Sequence, residues 1–294
     1  MAFLSIKEIS KRWNISERSV RYYCSSGKIP GAFLSGKTWN IPDDAINPSK
    51  KNKVIDNKLL QILKEEKEHS ILGGIYHKTQ IDLTYNSNHI EGSKLNHDQT
   101  RYIFETNTLT FGDDAINLDD IFETVNHFKC IDYIIDHALE PLSESIIKKL
   151  HFILKSNTSD SNKKHFNVGE YKLRPNEIGG KETCPPKEVA NAINSLIDSY
   201  NTKENITLED IVEFHKKFED IHPFQDGNGR VGRLIMFKEC LRNNITPFII
   251  DEQHRFFYYR GLKEWNEEKG YLLDTCLSCQ DIYSTWLAYF NIDN

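Results

Sequence analysis

The sequence predicts a mainly α-helical protein preceded by a small, separate N-terminal module. Three observations carry that expectation. Most of the chain beyond residue 58 spaces its apolar residues with helical period. The charge balance changes sign near residue 50. A stretch of breakers and lysines, Asn47-Pro48-Ser49-Lys50-Lys51-Asn52-Lys53, lies between the two regions and could not pack in a core. The expected division is residues 1–48, a linker at 49–58, and a helical domain at 59–294.

The charge asymmetry is sharp enough to separate modules. Residues 1–50 carry eight Lys/Arg and four Asp/Glu, a formal +4, while the whole chain is −6, which leaves −10 for residues 51–294. Within the first region, Ser5 with Glu8 forms a capping box opening a helix through Trp13. Asn14 makes a turn, Ser16 caps a second helix and Gly27 stops it. Phe33–Ile41 reads as a small hairpin turning at Ser35-Gly36.

Beyond the linker, helices are expected over Leu59–Lys67, Leu118–His137, Ser143–Lys155, Val189–Tyr200 and Ile282–Phe290. Thr207–Ile221 places apolar residues at Leu208, Ile211, Val212, Phe214, Phe218 and Ile221, one face of a helix capped by Thr207 with Asp210. Pro223 ends it at or before Ile221. A further helix runs from Gly229 through Leu241, with Asn243 and Asn244 as stops. Tyr171–Pro186 holds a Gly179-Gly180 turn between short runs and reads as a β-hairpin.

Chemistry concentrates in His222–Arg233, HPFQDGNGRVGR. His222 leaves a helix facing a loop, and its neutral ring can accept a proton from an attacking hydroxyl. Asp226-Gly227-Asn228-Gly229 is a turn able to aim backbone N–H groups into one concavity at a helix N-terminus, an anion site. Arg230 and Arg233 share the first helical face and can clamp phosphate oxygens. A carboxylate beside such a nest repels phosphate unless a cation lies between them. Mg²⁺ fits, since it takes one or two carboxylates plus phosphate oxygens. Alone, each of these features is usually structural. Twelve residues holding all of them favour function.

The run resembles the Fic motif, H-x-F-x-[D/E]-G-N-G-R-x-x-R, at every defined position. The resemblance implies a Fic helical fold with a small β-hairpin flap, and transfer of AMP from ATP to a Ser, Thr or Tyr hydroxyl of a protein, itself included. It casts His222 as the base and Asp226 as the Mg²⁺ ligand bridging the α- and β-phosphates. Gly227, Asn228 and Gly229 become the anion nest with Arg230 assisting, Arg233 the holder of the γ-phosphate, and Phe224 the anchor of the loop.

Ser87-Asn88-His89-Ile90-Glu91-Gly92 resembles the inhibitory motif [S/T]-x-x-x-E-[G/N] of one class of these proteins, on a helix around residues 81–92. That resemblance pairs Glu91 with Arg233, with Ser87 as the motif's first residue. A paired Arg cannot also bind the γ-phosphate, and the glutamate's charge repels the triphosphate. The same pair of residues, Glu91 and His222, also permits removal of AMP from a modified target, with Glu91 orienting a water. The 171–186 hairpin falls where the family places its flap, which holds the target as an added strand. Tyr258 and Asn266 fall where the family has residues around the adenine, Tyr258 being equally suited to core packing.

Residues 1–48 resemble winged helix-turn-helix domains, with Trp39, Ile41 and Pro42 closing the wing and Glu17, Arg18, Arg21 and Tyr22 facing a DNA groove or phosphates. A charge of +4 is a small electrostatic footprint, so DNA binding implies a homo-oligomer. A helical adaptor binding protein is the other reading of this module. For the whole chain the alternative is a DNA-binding transcriptional regulator whose Fic part senses nucleotide, or transfer of another nucleotide.

No run of about 18 apolar residues exists, so no membrane helix is expected. MAFLSIKEISKRW lacks a signal-peptide core, and the six scattered cysteines read as reduced thiols of a cytoplasmic protein. Cys276 and Cys279, a lone C-x-x-C, read as core residues rather than zinc ligands.

Overall fold

The computed structural model describes residues 3–13, 15–43, 45, 57–109 and 115–292. They divide into two compact units, 1–56 and 57–294. The turn expected at Asn14 and the linker stretch 47–53 lie outside the described residues.

In the first unit the order is β1 (Phe3–Leu4), α1 (Ile6–Trp13), α2 (Glu17–Ser25), β2 (Phe33–Ser35) and β3 (Thr38–Pro42). Glu8 Oε2 accepts from the Ser5 N–H at 2.8 Å, and Ser16 Oγ accepts from the Ser19 N–H at 3.1 Å, so both helices begin on their side-chain caps. The three strands form one antiparallel sheet in the order β1-β3-β2. Ser35 pairs with Thr38, so the hairpin turns at Gly36-Lys37, one residue later than the sequence suggests. Strand β1, paired through Phe3 with Pro42, is too short to show alternation in the sequence. Ile9, Val20, Cys24, Ile29 and Ile41 form this unit's own core.

The second unit is helical. Its helices are α3 (Lys58–Glu68), α4 (Ile75–Ile90), α5 (His97–Thr106), α6 (Leu118–Asp136), α7 (Glu144–Lys155), α8 (Val189–Asn201), α9 (Leu208–Ile221), α10 (Asn228–Arg242), α11 (Arg255–Glu264) and α12 (Gly270–Tyr289). A 3-10 turn, Ser159–Asn162, and the hairpin β4 (Glu177–Ile178) and β5 (Lys181–Glu182) lie between α7 and α8. The hairpin turns at Gly179 and Gly180, whose φ values of 56° and 77° suit glycine. No helix among the described residues is long and apolar enough to cross a membrane. All six cysteines are free, and Cys240, Cys276 and Cys279 are buried in the main core.

Helix α10 is the axle of this unit. It packs against α9, α6, α7 and α4, and only Gly229 and Arg242 escape burial. Its charged residues are therefore satisfied internally. Lys238 Nζ, for example, donates to Glu140 O at 2.6 Å and to Glu239 Oε1 at 2.9 Å. The first described residue of the unit is tied to this axle too: Asn57 caps α3 through the Leu60 N–H, and its amide donates to Leu241 O.

Three elements exceed their sequence reading. Helix α4 starts at Ile75 rather than near 81, because it buries Thr79, Gln80, Thr84, Asn86, Ser87 and Asn88 along with its apolar residues and shows no stripe. Helix α12 starts twelve residues before Ile282. Helix α11, at 255–264, exposes Phe256 and Phe257 and so lacks a one-faced pattern.

Helices α11 and α12 meet at Gly261, where an added Cβ would lie 2.6 Å from Leu272 Cα and 2.7 Å from its backbone nitrogen. Helix propensity alone favours Ala over Gly by about 1 kcal/mol. Overpacking against backbone costs about 1–3 kcal/mol and wins here. Gly261→Ala is therefore expected to lower the urea midpoint of unfolding; a midpoint at or above wild type would show that the two helices part freely.

Candidate functional site

Helix α9 ends where its side chains stop helping it. Thr207 and Asp210 form a capping box at its start, and His222 closes its end in the left-handed region, φ 50° and ψ 63°, with its N–H on Phe218 O at 2.9 Å. Histidine tolerates that region better than most residues. The loop that follows is fastened from inside. Asn228 Oδ1 accepts from the Phe224 N–H at 2.8 Å, and Asn228 Nδ2 donates to Phe224 O at 2.9 Å. The Phe224 ring is fully buried, stacked on His151 with centroids 3.9 Å apart. Since His151 Nδ1 accepts from the Gly169 N–H, its Nε2 carries the proton and donates to Asp226 O at 3.2 Å.

Gly227, at φ 82°, caps α10, and no side chain caps the first turn. The helix therefore opens with backbone N–H groups that no side chain satisfies, which is the property of an anion site. The hairpin is bolted to the same loop. Lys172 donates from Nζ to Asn176 Oδ1 at 2.7 Å, Thr183 Oγ1 at 2.6 Å and Ile221 O at 3.2 Å, and from its backbone to Pro223 O at 2.8 Å. Asn176 Nδ2 reaches Phe224 O at 2.9 Å. Burial pushes the Lys172 ammonium down to about 8.

Arg233 lies one turn into α10 and is 4% exposed. Its Nε donates to Ser87 Oγ at 3.0 Å, and Nη2 donates to Ser87 O at 2.9 Å and Glu91 Oε1 at 2.7 Å. Burial works against its charge, and the Glu91 carboxylate together with Tyr258 more than offsets that. Glu91 caps the C-terminus of α4 and reaches over Gly229, where a Cβ would lie 2.3 Å from Glu91 Oε1. Glu91 and Arg233, 142 residues apart in the sequence, thus meet at one guanidinium.

Asp226 sits in a second charged cluster. Lys155 Nζ donates to Asp226 Oδ2 at 2.7 Å, Asp160 Oδ2 at 2.8 Å and Glu123 Oε1 at 2.5 Å. Arg230 bridges Glu123 and Asp226 from the other side, reaching Asp226 Oδ2 at 3.3 Å. Partial burial pushes the Asp226 carboxyl up, but Arg230 and Lys155 hold it well below the usual carboxylate range. Both cations bind Oδ2, the Gly227 N–H also bears on the carboxylate, and the side chain stays half exposed. An ionised, half-exposed oxygen beside uncapped helix amides fits Mg²⁺ held jointly with phosphate.

His222 faces this ground with a neutral ring. Burial first, and then the Lys172 charge, push it down to about 4. Its Nδ1 is buried with no hydrogen-bond partner among the described residues, and Glu219 Oε2 lies 3.8 Å away. Burial, then the Glu91 charge, raise Glu219 to about 8.

The structure brings together Ser87, Glu91, His222, Asp226, Gly227, Asn228, Gly229, Arg230 and Arg233. Tyr258 does not fit its assignment beside the adenine. It is 1% exposed, with its hydroxyl 2.6 Å from His215 Nε2, so it offers no face to a base and packs beneath Arg233. The next residue, Tyr259, is 43% exposed and donates to Ile90 O at 3.4 Å, on the last turn before Glu91. Asn266 is exposed in the turn after α11. Sequence reasoning missed Lys155, Glu123, Asp160, Lys172 and Glu219. Each is a single charged residue on a separate segment, and no local pattern marks it.

Residues 141–240 match the model of the Fic/DOC family. Among curated proteins, the protein adenylyltransferase Fic of Aedes aegypti is 28% identical over 196 residues, covering 64% of this chain and 37% of that protein. The protein of the same name from Drosophila willistoni is 30% identical over 195 residues, covering 62% and 36%. The chain thus spans little more than a third of the relatives it matches. A Fic domain containing signaling protein from Bacteroides thetaiotaomicron superposes with a TM-score of 0.64 at 24% identity, over 80% of this chain and 97% of that one. Fic-1 from C. elegans gives 0.61 at 20% identity, over 81% and 73%. The structural likeness extends the shared fold well beyond the matched stretch, and residues 141–240 form a Fic domain of the Fic/DOC family.

Proposed function

We propose that this chain is an ATP- and Mg²⁺-dependent protein adenylyltransferase held in check by Glu91. The observation that carries the reading is the buried Arg233, satisfied by Ser87 and Glu91 at the mouth of an uncapped helix, beside a neutral His222. Relatives named protein adenylyltransferase Fic support the same chemistry.

In this reading the triphosphate lies along the start of α10, with Gly227, Asn228 and Gly229 amides and Arg230 on its oxygens. Arg233 takes the γ-phosphate once Glu91 has moved away. Asp226 Oδ1 would hold Mg²⁺, whose charge offsets that of the α- and β-phosphates. His222 then accepts the proton of a Ser, Thr or Tyr hydroxyl as its oxygen bonds to the α-phosphorus and the bond to pyrophosphate breaks. Tyr259 and Asn266 border the adenine end. The exposed hairpin β4–β5, rooted in the catalytic loop by Lys172 and Asn176, receives the target as an added strand.

The paired state sets the direction of the first expected result. Glu91→Gly frees Arg233 and removes a negative charge from the phosphate path, so self-modification with labelled ATP should rise at least tenfold; a rate equal to wild type would refute the brake. His222→Ala removes the base and leaves the amide nest and both arginines. Transfer should fall about 10²-fold or more while the ATP dissociation constant stays within about twofold. Loss of ATP binding would make His222 a structural residue instead.

The first unit suggests a DNA contact. On α2, Arg18, Arg21 and Tyr22 are exposed on one side while Val20 and Cys24 are buried, as a recognition helix requires. Such a module would act as a dimer. A gel-shift titration should show duplex DNA retained by wild type and released in Arg18→Glu/Arg21→Glu; equal binding by both would assign this unit to protein contacts.

A further inference from the structure

Glu123, Asp160 and Asp226 each place a carboxylate oxygen within 4.8 Å of the others, from α6, the 3-10 turn and the loop before α10. Three anions so close demand a cation, and hard divalent ions take oxygen sets of this kind. In this fold the demand is met from within. The Lys155 ammonium has three N–H bonds, and each is spent on one member of the trio, at 2.5, 2.8 and 2.7 Å. Lys155 is the last residue of α7, its side chain is 3% exposed, and the Phe166 ring lies 5.3 Å from Nζ. Arg230 joins Glu123 to Asp226, and the more exposed Lys163 meets Asp160 Oδ1 at 2.6 Å, so three cations face three anions and Lys155 alone touches all of them.

We propose that Lys155 is the resident cation of this trio, a positioning residue that bars a free divalent ion from it and reserves Asp226 Oδ1 for the metal that arrives with nucleotide. Two consequences follow from charge and geometry. With Lys155 in place, a divalent ion entering the trio would meet a buried ammonium and an arginine, and would have to strip Lys155 of its partners. Breaking a buried ion pair by taking one partner leaves an uncompensated charge. The metal must therefore bind outside the trio, with a single protein ligand, and such a site is weak until phosphate oxygens complete it. Nucleotide and metal then enter together, and the enzyme without nucleotide stays metal-free. Removing the ammonium while leaving its carboxylates should turn the trio into a divalent site of its own.

The inference rests on Asp226 as the metal ligand in the reading above, but its test uses neither nucleotide nor target, so either can fail while the other stands. Mn²⁺ is titrated into the full-length protein and free Mn²⁺ is followed by its electron paramagnetic resonance signal. Circular dichroism and thermal unfolding check that each variant is folded. Wild type and Lys155→Arg should leave Mn²⁺ free. Lys155→Met should bind one ion at least tenfold more tightly, and adding Glu123→Gln should abolish that gain, which places the ion at the trio. Uptake of Mn²⁺ by wild type without nucleotide would overturn the proposal. So would a folded Lys155→Met that gains no binding, since Lys155 would then serve stability alone. If Lys155→Met does not fold, Lys155→Gln, which keeps hydrogen-bond donors without the charge, is read against the same two outcomes.

Discussion

A guanidinium inside a helical core must find acceptors, and the arrangement around Arg233 follows from that. The side chain leaves α10 in the middle of the domain, where water cannot serve it. Abandoning such a charge without partners costs several kcal/mol, about 3–5 when a buried pair is broken. Two sets of acceptors can meet the need: the Ser87 hydroxyl and carbonyl with the Glu91 carboxylate, or an anion delivered to the mouth of α10. In the proposed function the same guanidinium serves both, so the inward face of α4 and an incoming phosphate would compete for one group.

The catalytic loop is rigid for a related reason. His222 occupies a backbone region that few side chains adopt willingly. Its position persists because the loop around it is over-determined: Asn228 on both sides of Phe224, His151 on Asp226, and Lys172 with Asn176 on Ile221, Pro223 and Phe224. In the proposed reaction, the groups that would meet a phosphate are thereby placed before any ligand binds, and such preorganisation is where most electrostatic catalysis originates. The low basicity of the buried His222 ring suits the base that the proposed reaction needs at neutral pH.

Sequence order was a good guide where chemistry is local. Helix α9, the break at Pro223 and the turn into α10 could all be read from spacing and breakers, and the Gly179-Gly180 hairpin from its glycines. It failed where burial is not apolar. Helix α4 buries so many amides and hydroxyls that its first six residues show no periodic stripe, and α11 exposes two phenylalanines. Lys155, Glu123 and Asp160 come from three segments and acquire meaning only when the fold places them around Asp226. At Tyr258 the sequence left adenine contact and core packing open, and burial favours the second. Two adjacent tyrosines on a helix point about 100° apart, and only the chain's three-dimensional path decides which of them faces the core.

Gly229 lies directly beneath the Glu91 carboxylate, with room for hydrogen and nothing larger. The pairing of α4 with Arg233 therefore depends on an empty space as much as on a charge. A lone methyl at residue 229 would push the Glu91 carboxylate out of its present position and press on the Arg233 guanidinium. If Glu91 is the brake proposed above, a bulkier residue 229 would loosen it with no change to α4 itself.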